Sequence, residues 1–144
     1  MSITKQDLLD AFPYDKAWTD IITGIPPEII DIQRSLQGKR WTEIPPDLCN
    51  NHTDVYIMLD APPLAYFIPA FLFAAIDDPS NNTGEFLVYN FCSGHIDKLH
   101  PLLDPTQRDL LIGVVAELLT DDEDSFGSHE KLRFTKRLSD WSSR

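Results

Sequence analysis

Residues 64–76, near the middle of the chain, are apolar on every side apart from the hydroxyl of Tyr66. A helix of this kind must be covered by other elements, so the segment predicts a central, buried helix. The pair Pro62-Pro63 stands before it and suits a first helical turn, whereas Pro69 lies inside it and is expected to kink or divide it. The fold therefore has to surround this segment with further secondary structure.

Helix-start signals occur at several other places along the chain. Thr4 with Asp7 forms a capping-box pattern, and Asp104 with Gln107 repeats this pattern before a long apolar stripe. Proline pairs at positions 26–27 and 45–46 each precede an acidic residue, as is typical of a first turn. Ser128 can cap a last helix. Together with the central segment, the predicted helices cover residues 5–12, 26–37, 45–52, 62–76, 104–120 and 130–141.

Residues 85–92 leave two alternatives open, because their apolar positions fit either a short strand or hairpin or a short buried helix. The chain has 144 residues, enough to bury a core without disulfides or metal. It contains no internal repeat and no domain-length linker, so residues 1–144 are predicted to form a single domain. The predicted class is mainly α, a compact bundle of five to seven helices.

The negative charge is concentrated in the middle of the chain. Residues 51–127 contain thirteen Asp and Glu but only two bases, Lys98 and Arg108, within a net charge of −11. The last seventeen residues carry five bases and two acids, so they form a small cationic tail. Such an anionic body repels nucleic acid and anionic membranes, and it raises the association rate of basic protein partners. We therefore expect a protein partner, no nucleic acid and no membrane.

Two features indicate the compartment. The first residues show no basic segment followed by an apolar one, as a secretory signal would, and the longest apolar run is too short to span a bilayer. With only Cys49 and Cys92, a disulfide framework is not expected. We predict a cytoplasmic protein, while a periplasmic protein with a trimmed signal stays an alternative.

Both cysteines belong to Cys-x-x-His units, namely Cys49 with His52 and Cys92 with His95. Thiolate and imidazole are ligands that zinc favours, so these four residues are a weak candidate for a Cys2His2 site. The stronger interpretation is that each cysteine is a small buried apolar residue. No spacing singles out a nucleophile and base, so we predict no catalytic residue, no enzyme activity and no cofactor.

Acidic residues are the candidate binding site. An anionic surface can occupy the basic cleft of a partner by supplying carboxylates where phosphates would otherwise lie. The acidic run at 121–124 lacks the alternating ligands and glycine of a calcium loop, and such a run is usually a solvated loop. Its functional interpretation is a contact surface for Lys and Arg of a partner. The predicted partner-binding residues are Asp77, Asp78, Asp97, Asp121, Asp122, Glu123 and Asp124.

Four short motifs suggest a family. They are a basic-Trp turn, a His-x-Asp, an aromatic helix containing Pro-Ala-Phe and a late Pro-x-Gln-Arg, found here as Lys39-Arg40-Trp41, His52-Thr53-Asp54, Tyr66-Phe67-Ile68-Pro69-Ala70-Phe71-Leu72 and Pro105-Thr106-Gln107-Arg108. With these motifs, residues 34–119 resemble a group of uncharacterised small bacterial proteins. The resemblance implies a small, soluble, acidic bacterial protein, similar in character to immunity proteins encoded beside antibacterial toxins. It implies no catalytic residues.

The leading hypothesis is an immunity or inhibitor protein that binds and neutralises a basic toxin or effector. The first alternative is a regulatory or adaptor domain that binds a cellular protein through a hydrophobic groove beside Pro69. The second alternative is an enzyme or a zinc-binding protein. These hypotheses differ in salt sensitivity, because an interface formed by opposite charges weakens with ionic strength much more than an apolar groove does.

Overall fold

The computed structural model describes residues 2–20, 22, 26–78, 82–121 and 128–142. The α-helices of these residues are α1 (Lys5–Ala11), α2 (Pro26–Leu36), α3 (Pro46–Asn51), α4 (Val55–Met58), α5 (Ala61–Asp77), α6 (Asn82–Cys92), α7 (Pro105–Asp121) and α8 (Ser128–Ser142). Two 3-10 turns, Trp41–Glu43 and Asp97–Leu102, join them. The predicted mainly α class is confirmed. The described chain has more helices than predicted, because α4 is only four residues long and has no start signal.

The centre of the bundle is α5, as the apolar segment predicts. Phe67, Ile68, Phe71 and Leu72 are all fully buried, and α5 packs against α1, α3, α6 and α7. Pro69 is also buried, but it does not divide the helix, so that part of the prediction is wrong. A proline removes one backbone N–H from the helix, and close packing on all sides outweighs this loss here.

The helix starts predicted from the capping boxes are confirmed. The backbone N–H of Thr4 donates to Asp7 at 2.8 Å, and the N–H of Asp7 donates to Thr4 at 3.3 Å. In the same way, the N–H of Gln107 donates to Asp104 at 2.8 Å, and the N–H of Asp104 donates to Gln107 at 3.0 Å. These reciprocal hydrogen bonds satisfy donors that a helix leaves free at its first turn.

The strand or hairpin alternative near residues 85–92 is wrong, because this segment lies in α6. Leu87, Val88 and Phe91 are fully buried, whereas Phe86 and Tyr89 are exposed, which is a helical period and not an alternation. The apolar residues on both faces hid this period in the sequence. The buried face of α6 packs against α5, α7 and α8.

Helix α8 closes the bundle. Phe91 of α6 contacts Phe134 and Trp141 of α8, with ring centroids 5.7 and 5.2 Å apart. Trp141 is 3 % exposed. Among the described helices, none is long and apolar enough to cross a lipid bilayer.

Candidate functional site

The first turn of α1 contacts the last turn of α5. The ammonium of Lys5 lies 2.5 Å from a carboxylate oxygen of Asp77, the last residue of α5. The same ammonium lies 4.6 Å from the centre of the Phe73 ring, one turn earlier in α5. At the following turn of α1, Leu9 lines a small cavity with Ala70. Because later residues of α1 meet earlier residues of α5, the two helices are antiparallel.

Helix α1 is antiparallel to α7 as well. Just before α1, the backbone N–H of Ser2 donates to a carboxylate oxygen of Glu117 at 3.1 Å, and the Ser2 hydroxyl contacts the same oxygen. At the other end of α1, the side-chain amide of Gln107 donates to the carbonyl oxygen of Ala11 at 2.9 Å. Helices α5 and α7 are therefore parallel to each other, and both end at the end of the bundle where α1 begins.

This arrangement gathers two acidic segments that are distant in sequence. Asp77 and Asp78 lie at the end of α5, Glu117 lies in the last turns of α7, and Asp121 is the last residue of α7. We call these four residues the acidic end. Asp78 is exposed, and the side chain of Asp77 is 44 % exposed. The C-terminal ends of α5 and α7 carry partial negative charge, so the helix dipoles add to the carboxylates.

The remaining predicted site residues have different outcomes. Asp122, Glu123 and Asp124 lie outside the described residues, although they follow Asp121 directly in the chain. Asp97 lies elsewhere, in the 3-10 turn after α6. Its carboxylate accepts hydrogen bonds from Arg137 at 2.7 Å and from the indole N–H of Trp141 at 2.8 Å, and its side chain is 16 % exposed. Asp97 thus attaches α8 to the bundle, and we leave it out of the candidate surface.

The two bases of the acidic middle segment donate to backbone oxygens. The ammonium of Lys98 donates to the carbonyl of Leu59 at 2.6 Å, and the guanidinium of Arg108 donates to the carbonyl of Leu103 at 3.0 Å. Burial lowers the pKa of Lys98, and the nearby charge of Asp60 opposes this effect. Both cations are therefore fixed away from the acidic end, in contact with carbonyl groups of the turns that precede α5 and α7.

Both cysteines are buried thiols. The sulfur of Cys49 lies 3.6 Å from the carbonyl oxygen of Ala70, and the sulfur of Cys92 lies 3.7 Å from the carbonyl oxygen of Glu130. Burial raises the pKa of Cys49 to about 12 and that of Cys92 to about 11. A thiol with a raised pKa is a poor nucleophile and a poor metal ligand, because both functions need the thiolate.

The described structure does not bring Cys49, His52, Cys92 and His95 together in the way that a zinc site requires. Within the described part of the chain, no three His, Cys, Asp or Glu side chains form a group that could hold a metal ion. Each thiol is directed to a different carbonyl group, and the Nδ1 atom of His95 lies 2.8 Å from the side-chain oxygen of Asn90. Cys49, Cys92 and His95 therefore contribute to packing and hydrogen bonding within the fold.

We expect both thiols to resist alkylation in the folded protein. At pH 8 only about one Cys92 thiol in a thousand is ionised when its pKa is near 11, and fewer Cys49 thiols are, whereas an exposed thiol is ionised at about one in four. Labelling with iodoacetamide, followed by mass spectrometry, should be at least about a hundredfold slower in buffer than in urea.

Rapid labelling of either thiol in buffer would contradict the assignment of both cysteines as buried thiols.

The raised pKa values of the two thiols also predict how the stability of the protein changes at alkaline pH. The folded thiols keep their protons, whereas the unfolded thiols lose theirs near pH 9. The contribution of the two thiols to the free energy of unfolding is therefore fully present below about pH 9 and is lost as the pH rises toward 11 and 12.

The adaptor hypothesis requires a hydrophobic groove beside Pro69, but the cavity found there is small. A cavity of about 180 Å³ lies next to Ala70, directly after Pro69. Its lining residues are Leu9, Trp41, Thr42, Ile44, Ala70 and Phe73. A partner helix needs a groove that takes three or four successive anchor side chains, and a cavity of this size takes one. The cavity next to Ala70 is therefore too small to be the groove that the adaptor hypothesis requires.

Comparison of the chain with protein-family models, with curated proteins and with solved structures found no match. The resemblance to small bacterial proteins therefore stays a prediction. No signal in the sequence indicated Ser2, Lys5 and Glu117 as parts of the site, because each is a single polar residue whose role depends on a partner far along the chain.

Proposed function

We propose that this protein is an immunity or inhibitor protein that binds a basic toxin or effector through the acidic end. One observation carries the proposal: α1 holds the C-terminal ends of α5 and α7 together. Asp77 and Asp78 therefore lie at the same end of the bundle as the end of α7, where the chain continues into the acidic segment 121–124. Carboxylates at this end of the bundle can pair with Lys and Arg of the partner, in the places that phosphate groups of its substrate would otherwise occupy.

The charge distribution supports rapid and selective association. The net charge of −11 attracts a basic partner over a distance of about 10 Å at moderate ionic strength. The helix ends orient this attraction, because their partial charges reinforce the carboxylates at one end of the molecule. Under this proposal the protein acts by occupying the cleft of its partner, and no residue has a catalytic role.

The proposal includes a cytoplasmic location. Both cysteines are free thiols, and buried free thiols are typical of proteins that fold in a reducing compartment. An immunity protein of this type would meet its toxin where the toxin reaches its target, inside the cell.

The test is capture of partners from lysate of the source organism at about 0.05 M and about 0.5 M salt, followed by mass spectrometry. We expect one basic protein that is bound at low salt and released at high salt. The purified partner should lose its activity when the acidic protein is added in equal amount. Capture that is independent of salt, or a partner whose activity does not change, would refute the proposed function.

A further inference from the structure

A basic groove lies between α8 and the end of α6, in a protein that is otherwise strongly acidic. The groove is open and has a volume of about 340 Å³. Its lining residues are Cys92, Ser93, Arg133, Lys136 and Arg137. Three of these five residues are cations, and the groove lies on a different part of the molecule from the acidic end. It therefore needs an explanation of its own.

The sequence of α8 places these cations on one side of the helix. Arg133, Lys136 and Arg137 follow the spacing i, i+3 and i+4, so their side chains lie next to one another. Opposite them, Gly94 has a φ of +85°, and a Cβ atom at this position would lie 3.2 Å from the guanidinium carbon of Arg137. Glycine thus permits both the turn after α6 and the close approach of Arg137.

Arg137 is fixed in place before any ligand binds. One guanidinium nitrogen donates to Asp97 at 2.7 Å and lies 3.4 Å from Asp140. Asp97 is held in turn by the indole of Trp141. For this reason the side chain of Arg137 is only 21 % exposed, although it lies in a helix rich in polar and charged residues.

Arg133 and Lys136 provide further positive charge at the groove. Both side chains are exposed, and among the described residues neither takes part in an ion pair. Arg133 is also close enough to act on Cys92, another lining residue: burial and then Glu130 raise the pKa of this thiol, and the charges of Arg133 and Arg137 partly oppose that rise. Ser93 also lines the groove, and its hydroxyl is a neutral hydrogen-bond donor.

We propose that this groove binds a phosphate group, either as free phosphate or as part of a small phosphomonoester. An arginine fork can donate two parallel hydrogen bonds to a tetrahedral oxyanion, a lysine adds a compact charge, and a serine adds one more donor. The volume is at the lower end of the range for small-molecule sites, which begins at about 300 Å³. A single phosphate group with a short substituent matches this space and this chemistry.

The test is a titration of the full chain with inorganic phosphate and with methyl phosphate, followed by ¹H–¹⁵N NMR. We expect saturable shifts of the amides of Ser93, Gly94 and Arg133. Equal affinity for the two probes identifies free phosphate as sufficient, and tighter binding of methyl phosphate identifies a phosphomonoester. Acetate at the same ionic strength should give no saturable shift.

Two single variants distinguish a specific phosphate site from nonspecific electrostatic attraction of phosphate. Arg133→Gln should weaken phosphate binding at least about tenfold, the usual effect of losing a charge-assisted contact. Lys131→Gln removes the same charge from the same helix, but Lys131 faces a groove against α7, so binding should be unchanged. Both residues are exposed, and the amide spectrum reports whether each variant is folded. Equal losses in the two variants, equal binding of acetate, or no saturable shift would overturn the proposal.

Discussion

Replacing Trp141 with alanine is expected to lower the free energy of unfolding by about 3–5 kcal/mol, the usual cost of deleting a large buried aromatic side chain. Trp141 is 3 % exposed, and its ring packs against Phe91 and His100 at centroid distances of 5.2 and 5.1 Å. Its indole N–H also donates to Asp97. The substitution therefore removes aromatic contacts from the core. It also removes one of the hydrogen bonds that position Asp97, which forms an ion pair with Arg137 of α8.

The conservative variant Trp141→Phe separates these two contributions. It keeps an aromatic ring in the core but removes the N–H donor, so Asp97 loses one hydrogen bond and keeps its contact with Arg137. We expect a loss of about 1–2 kcal/mol. Urea unfolding followed by far-UV circular dichroism measures both values. A loss below about 1 kcal/mol in the alanine variant would show that α8 is not an integral part of the core.

Neutralising carboxylates of the acidic end, together with those of the acidic segment that follows α7, is expected to have the largest effect on binding. The variant replaces six carboxylates with amides: Asp77→Asn, Asp78→Asn, Asp121→Asn, Asp122→Asn, Glu123→Gln and Asp124→Asn. The association rate with the basic partner should fall about 10- to 100-fold at low salt, because steering by opposite charges can accelerate association by this amount. Stopped-flow measurements over a series of salt concentrations give the rate and its salt dependence.

The same variant should show a flatter dependence of the association rate on ionic strength, since fewer charges remain to be screened. Its stability should be unchanged or slightly higher, because Asp77 is exposed and its ion pair with Lys5 contributes little at the surface. An association rate with the same salt dependence as that of the unaltered protein would show that binding uses another surface.

Local signals in the sequence were sufficient for most helix boundaries. The capping pairs Thr4 with Asp7 and Asp104 with Gln107 fix the starts of α1 and α7 through contacts within one turn, so they need no tertiary information. Residues 85–92 could not be assigned in this way. Their exposed aromatic residues, Phe86 and Tyr89, have the same apolar character as the buried ones, and only the packing around α6 shows which face is covered.

The candidate site depends on contacts between distant residues, and these left no pattern in the sequence. The acidic end lies where Lys5 contacts Asp77 and Ser2 contacts Glu117, and each pair joins residues that are far apart in the chain. Arg137 shows the same limit. It lies in a polar helix, but its surroundings are set by Asp97, which no helical period can indicate.

The central claim is that binding depends on where the carboxylates lie and not only on total charge. The matched control is a pair of exposed carboxylates at the opposite end of the bundle. Asp15 lines a groove with Ala65 and Gln107, near the beginnings of α5 and α7, and Asp109 lies in the second turn of α7. Asp15→Asn with Asp109→Asn removes as much charge as Asp77→Asn with Asp78→Asn.

The most direct measurement is therefore the affinity of these two double variants for the captured basic partner, by isothermal titration calorimetry at low salt. We predict that the Asp77 and Asp78 variant binds about tenfold more weakly, and that the Asp15 and Asp109 variant stays within about twofold of the unaltered protein. Equal affinities of the two variants would contradict the account, because binding would then depend on net charge alone or on a surface outside the acidic end.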